Sequence, residues 1–210
     1  MSQRPVDADA GNVVGNVYDK YSTANPIARH LMRGFLGAVT ELYRMTEPRS
    51  VLEVGCGEGE LAAHLWQQGP RPDRFEICDV DLDQLAPDVP AAIERREASI
   101  YALPWPDDAF DLVLCCEVLE HLQDPARGLA ELARVARRHV LISTPWEPVW
   151  RALNLARGHY IHDLGNTPGH VQHFSRASLT RLARTQLRLL AQRTPLPWTM
   201  LLGAPLDEHG

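Results

Sequence analysis

Apolar positions along this chain change period several times, and each change marks an element. Residues 1 to about 16 carry no period and read as a loosely attached tail. From Asn25-Pro26 onward, Ile27, Leu31, Phe35, Leu36, Val39, Leu42 and Tyr43 recur at helical spacing, with proline in the first turn. Next, Val51-Leu52-Glu53-Val54 is a short apolar run holding one acid. It enters three alternate glycines, Gly55, Gly57 and Gly59, and a helical segment over 61–68 follows at once. That order predicts a buried parallel strand, a tight turn and a crossover helix. A connector with Gly69, Pro70 and Pro72 leads to a second strand, Arg74 to Val80. A further strand runs on from Ala109, with Phe110 as a core anchor and Asp111 as a strand-entry residue.

Asp124-Pro125 opens a strongly periodic helix, Ala126 to Arg138. Asp124 is its N-cap, and Leu129, Leu132, Ala133 and Val135 form its inner face. Val140 to Ser143 is the fifth strand, Ser178 to Gln186 another helix, and Leu187–Ala191 and Trp198–Leu202 the last two strands. Strands alternating with helices from Val51 onward predict an α/β fold with a doubly wound, mostly parallel seven-stranded sheet. The helix after Asn25 is expected to cap the mouth of the core as a lid. One domain is expected over 1–210: tail and lid to 48, a core over 49–145, a polar, His-rich insertion over 146–176, and the last helix and strands over 177–210.

Composition narrows the class of partner. A chain of 210 residues suffices for one compact domain, and its net charge of −6 argues against nucleic acid, which wants a basic surface. Arg181, Arg184 and Arg188 share a helix face, a pattern that is most often simply solvated. No apolar run approaches a membrane span and the N-terminus lacks the apolar region of a signal peptide, so a soluble, cytoplasmic protein is expected. Cys56, Cys78, Cys115 and Cys116 show no CxxC spacing and read as small core residues in a reducing compartment. Oligomeric state is not encoded in any visible pattern.

The chemistry centres on the glycine turn. Without Cβ atoms, Gly55 and Gly57 let a ligand approach the backbone on either side of Cys56. The pattern Glu-x-Gly-x-Gly-x-Gly is not the dinucleotide fingerprint. Glu53, two residues ahead of the first glycine, suits a ligand carrying an ammonium or sulfonium charge. An acid at the end of the second strand faces the crevice and can accept hydrogen bonds from a ribose diol; Asp79 and Asp81 are the candidates. Tyr18 and Tyr21 either line the ligand pocket or anchor the lid helix.

Past the fourth strand, Glu117, Glu120 and His121 stand at i, i+3 and i+4. On a helix they would share a face and suit Mg²⁺ or Mn²⁺, with a fourth ligand from His159, His162, His170 or His173. A metal-free general-base role for His121, or a structural one, stays open beside the metal reading.

The turn Val51 to Gly59 resembles the first motif of the class I S-adenosylmethionine (SAM) dependent methyltransferases. Val80-Asp81-Leu82-Asp83 resembles that family's Val-Asp-Leu-Ser, which favours Asp81 over Asp79 for the ribose. Ala98-Ser99-Ile100-Tyr101-Ala102-Leu103-Pro104-Trp105-Pro106-Asp107, followed by Phe110-Asp111-Leu112-Val113, resembles its loop before the fourth strand. The family's adenine-binding aspartate is replaced there by Ser99, with the backbone of Ile100 beside it. The likeness covers about 50–145 well and implies a Rossmann-like fold, with SAM held by Glu53, Gly55, Cys56, Gly57, Asp81 and Glu117.

Glu-x-x-Glu-His, a strand ending Ser143-Thr144-Pro145, and the stretch Gly169 to Arg176 are similar to the small-RNA 3′-terminal ribose 2′-O-methyltransferases. The first part also resembles the ubiquinone-pathway catechol O-methyltransferases. Matching those patterns makes His170 the fourth metal ligand, with His173 a neighbouring candidate for catalysis alongside His121. The resemblance implies methyl transfer to a small-molecule hydroxyl, with Trp146, Trp150 and Tyr160 walling the acceptor. An RNA ribose 2′-O-methyltransferase and a SAM-binding regulatory module are the alternatives.

Overall fold

The structure, a computed structural model, describes residues 25–146 and 171–206. The tail, Tyr18, Tyr21, Trp150, His159, Tyr160, His162 and His170 lie outside the described residues. Seven strands form one sheet: β1 (Ser50–Val54), β2 (Arg74–Asp79), β3 (Glu94–Glu97), β4 (Phe110–Cys116), β5 (Ala136–Pro145), β6 (Leu187–Arg193) and β7 (Trp198–Pro205). Among the described residues four helices flank it: α1 (Pro26–Thr46), α2 (Glu60–Gln68), α3 (Pro125–Val135) and α4 (Arg176–Ala183).

The strand order is β3-β2-β1-β4-β5-β7-β6, with β7 antiparallel to both its neighbours and the other pairings parallel. The doubly wound, mostly parallel sheet expected from the sequence is therefore present. Strand progression reverses between β1 and β4, and the carboxyl ends of those strands frame a crevice.

Two-residue periodicity builds two cores from the same strands. Val51, Phe75, Ile77, Leu112, Leu114 and Leu141 face α1 and α2, whereas Leu52, Val54, Val113, Val140 and Ile142 face α3 and α4. The central strands are buried on both sides, which is why they read as continuous apolar runs. Asn25 caps α1 through its side-chain oxygen, which accepts from Ile27 N–H at 2.9 Å. Phe35, Val39, Leu42 and Tyr43 of α1 are buried against the sheet and α2. The expected lid is thus a full packing layer, because its apolar stripe runs the helix length; only its first turns, at Met32 and Phe35, reach the crevice.

Boundaries differ from the periodicity at one junction. α3 stops at Val135 and β5 begins at Ala136, so residues 137–139 are strand rather than helix end or turn. Ala136 takes an extended conformation while its N–H bonds Ala133 O, and a register shift between Phe110 and Leu112 absorbs the irregularity. β3, an exposed edge strand of four charged residues, carries no apolar period to announce it. The loop ahead of β4 is pinned at several points. Trp105 Nε1 donates to Glu76 Oε2 at 3.0 Å, and Arg134 donates to Leu103 O, Trp105 O and the Asp107 carboxylate. No helix among the described residues is long and apolar enough to cross a membrane.

Asp111 knots three strands together. Its carboxylate accepts from Arg49 N–H at 3.0 Å, Ser50 N–H at 3.2 Å and Arg137 Nη1 at 3.0 Å, while its own N–H donates to Ser50 Oγ at 2.9 Å. Asp111→Ala removes the shared acceptor of these part-buried bonds and is expected to cost about 1–3 kcal/mol. Urea unfolding reads this as a lower midpoint with an unchanged slope.

Candidate functional site

A cleft of about 240 Å³ opens at the carboxyl edge of the sheet, where β1, β2 and β4 end. Its floor is the turn after β1. Gly55 and Cys56 donate their N–H groups to Cys78 O at 2.8 and 3.1 Å, which ties the turn to β2. Gly55 has φ +75°, and a Cβ there would fall 2.3 Å from Val118 Cγ2, so the turn sits hard against the segment leaving β4. A Cβ on Gly57 would meet nothing within 4 Å. That position is open backbone on the cleft wall, as a cradle requires.

Glu53 projects from β1 to the α2 side and is 3% exposed. It accepts a hydrogen bond from Ala62 N–H, while its Oε2 is buried with no hydrogen-bond partner. Burial, and then the charge of Asp79, push its carboxyl up to about 8. Both carboxyl groups line the cleft. A buried acid with an unmet oxygen is costly by itself and is relieved by a cation or hydrogen-bond donor.

Both candidate acids after β2 line the cleft. Asp79, not Asp81, is the last strand residue; its Oδ2 accepts from Gly57 N–H at 2.8 Å and its Oδ1 from Val80 N–H at 2.7 Å. Asp81 also lines the cleft but is exposed and bonded within its own loop, accepting from Asp83 N–H at 2.9 Å. The strand ends at Asp79, one residue before the bound expected at Val80. Ser99 is off the wall: its Oγ accepts from Tyr101 N–H at 3.3 Å inside its own turn, and Ala98 and Ile100 line the cleft instead.

The segment after β4 departs most from expectation. Glu117 has φ +62°, and only Leu119–His121 form a helical turn, a 3-10 one. The i, i+3, i+4 face of an α-helix therefore does not exist here. Glu117 and His121 line the cleft, whereas Glu120 is 1% exposed and off its wall, its backbone oxygen accepting from Val171 and Gln172 N–H. The Glu117 carboxylate accepts from Ser143 Oγ at 3.1 Å and Trp198 Nε1 at 2.7 Å. Among the described residues no three His, Cys, Asp or Glu side chains gather as a metal site, and His170, expected as the fourth ligand, lies outside them.

His173 is exposed and off the wall, just before α4. Trp146 is off the wall too, its ring lying under the Arg176 guanidinium at 4.2 Å. The cysteines are unpaired thiols, and burial pushes Cys78 up to about 12 and Cys115 well above its usual range. Cys56 lines the cleft as a small, mostly buried residue.

Met32, Phe35 and Trp198, which sequence reasoning did not assign to a site, form an apolar wall of the cleft. The helical period marked Phe35 as buried, but nothing local said that its neighbour would be a tryptophan of the last strand.

A family model described as a methyltransferase domain matches residues 28–187. A Mycobacterium tuberculosis protein named "Probable S-adenosylmethionine-dependent methyltransferase" is 38% identical over 102 residues, covering 46% of this chain and 36% of that protein. A ubiquinone biosynthesis O-methyltransferase of Alkalilimnicola ehrlichii is 32% identical over 109 residues, covering 47% of this chain and 42% of that protein. The match thus spans less than half the length of these curated relatives. Among solved structures, a SAM dependent methyltransferase from Aquifex aeolicus aligns with a TM-score of 0.65 at 16% identity, covering 87% of this chain and 94% of that one. That likeness is one of fold.

The raised Glu53 carboxyl fixes a sign for stability against pH. Without ligand, the folded state holds this proton up to about pH 8 while the unfolded state releases it near the ordinary glutamate value of 4.5, so this group's contribution to stability falls as pH rises between the two. Glu53→Gln is therefore expected to melt about 2–6 °C above the wild type at pH 8.5 in the absence of ligand. Thermal melts should find that gap closing towards pH 5.

Proposed function

The chain belongs to the SAM-dependent methyltransferases, and on that premise we propose that it transfers a methyl group from SAM to a hydroxyl oxygen of a small-molecule acceptor. The observation that carries this reading is the Glu53 carboxyl, buried at the floor of a glycine-lined cleft with one oxygen unmet. Such a group suits the ammonium end of SAM, and the open backbone at Gly57 suits close approach of the same molecule. Asp79, with Asp81 behind it, is suited to the ribose hydroxyls, and Ala98, Ile100 and Leu122 to the adenine faces. When bound, SAM supplies an electrophilic methyl group on a sulfonium.

What the chain contributes is positioning and a proton acceptor. Transfer between two held groups gains mainly from alignment and needs no covalent intermediate on the protein. His121, on the cleft wall, takes the acceptor hydroxyl proton at a ring nitrogen. No step is assigned to a divalent ion, because Glu120 stands off the wall and Ser143 and Trp198 engage Glu117. Acceptance of an RNA ribose is disfavoured by charge: Glu53, Glu58, Glu60, Asp79, Asp81 and Glu117 line the cleft, and none of its described lining residues is Lys or Arg.

Calorimetry on the purified protein tests the donor assignment. SAM and its demethylated product S-adenosylhomocysteine are expected to bind, and Glu53→Gln to weaken SAM by about tenfold or more. Absence of binding by both ligands to the wild type would overturn the reading. His121→Ala is expected to lower turnover of hydroxyl acceptors found in a panel by about 10²–10⁴-fold. Its SAM affinity should stay within about twofold of the wild type, since the base touches the acceptor and not the donor.

A further inference from the structure

Glu117 is held in a way that its neighbours in sequence do not explain. It is not glycine, yet it takes φ +62°, a conformation that persists where surrounding contacts over-determine it. Those contacts come from two other strands. Glu117 N–H donates to Ser143 O at 3.1 Å, Ser143 Oγ donates to one carboxylate oxygen at 3.1 Å, and Trp198 Nε1 donates to the other at 2.7 Å. Ser143 is fully buried in β5, and Trp198, first residue of β7, is 4% exposed. The indole is braced in turn by Phe35 of α1, the two rings meeting nearly edge-on with centroids 5.0 Å apart. A carboxylate fixed on both oxygens is oriented rather than merely tolerated. An ionised carboxylate offers about four lone-pair sites, and these two bonds set the direction in which the others point.

The place of this clamp in the cleft gives it a use. Asp79 and Asp81 stand at the β2 end and Glu53 over β1; Glu117 lies beyond them after β4, with Met32, Phe35 and Trp198 on the wall. We propose that Trp198 and Ser143 are positioning residues that hold Glu117 as the hydrogen-bond acceptor of the subsite beside the transferred methyl. That subsite takes an apolar molecule whose reacting end bears a non-anionic hydrogen-bond donor, a hydroxyl or an amine. The apolar wall suits the body of such a molecule. A carboxylate or phosphate at its reacting end would meet Glu117 directly and find no Lys or Arg among the described lining residues. This inference rests on the SAM reading, and its test separates the two.

The probes are sinefungin, a SAM analogue carrying a charged amine where SAM carries the methyl, and S-adenosylhomocysteine, which has nothing there. Calorimetry is run on the wild type, Glu117→Gln, Trp198→Phe and Ser143→Ala, with thermal melts confirming that each variant is folded. The wild type is expected to prefer sinefungin by about tenfold, and Glu117→Gln and Trp198→Phe to reduce that preference about fivefold or more. Affinity for S-adenosylhomocysteine should stay within about twofold. Ser143→Ala should give an intermediate loss and carries the clamp test if Trp198→Phe does not fold. An unchanged preference in Glu117→Gln overturns the subsite. A loss in Glu117→Gln without one in Trp198→Phe or Ser143→Ala overturns the clamp. A parallel loss of S-adenosylhomocysteine affinity assigns Glu117 to the donor instead. If neither probe binds the wild type, it is the SAM reading that fails.

Discussion

The crevice exists because two segments leaving the sheet are forced against each other. The turn after β1 and the segment after β4 meet at Gly55 and Val118, where a single added Cβ would stand 2.3 Å from the valine methyl. This contact sets how far apart the ends of β1 and β4 splay. Everything with chemical potential hangs from its two sides: Glu53 and the open turn on one, Glu117 and His121 on the other. Strand reversal at this point supplies the opening, and the absence of a side chain at Gly55 keeps it shallow enough for both walls to reach one ligand.

Two acids in costly settings come with that arrangement. Glu53 sits with an unmet oxygen and Glu117 in a left-handed backbone, both on the cleft wall. Neither choice helps a chain that only has to fold, since an apolar residue at 53 would avoid the desolvation and a glycine at 117 the strain. The rest of the molecule is conventional by comparison: two dry cores, a charged edge at β3, and Asp111 satisfying the backbone where β1 begins. Both of these costly choices stand where ligand chemistry is expected.

The post-β4 segment shows how a sound local rule can mislead. Residues three and four apart share a face only on an α-helix. Glu117 leaves the helical region altogether because Ser143 and Trp198 hold both ends of it, and the turn that follows is 3-10 and brief. Glu120 then turns into the interior while Glu117 and His121 stay on the cleft. The spacing was real but belonged to a geometry that the tertiary contacts overruled.

What the amino-acid order determined by itself was local and periodic. It set the helix at Asn25, the strand-turn-helix around Gly55, the capped helix after Asp124, and the alternation that winds the sheet on both faces. It also marked Glu53 and the glycines, because an acid next to a Cβ-free turn has chemical meaning without knowledge of the fold. Which acid ends β2, whether Ser99 faces the cleft, and what holds Glu117 were decided only by tertiary structure. Trp198 reaches Glu117 across 81 residues of sequence, and Phe35 reaches Trp198 across the layer between α1 and β7. Periodicity reports which side of an element is dry. It carries no information on which distant donor will meet a given carboxylate, since that depends on strand order and register across the whole sheet.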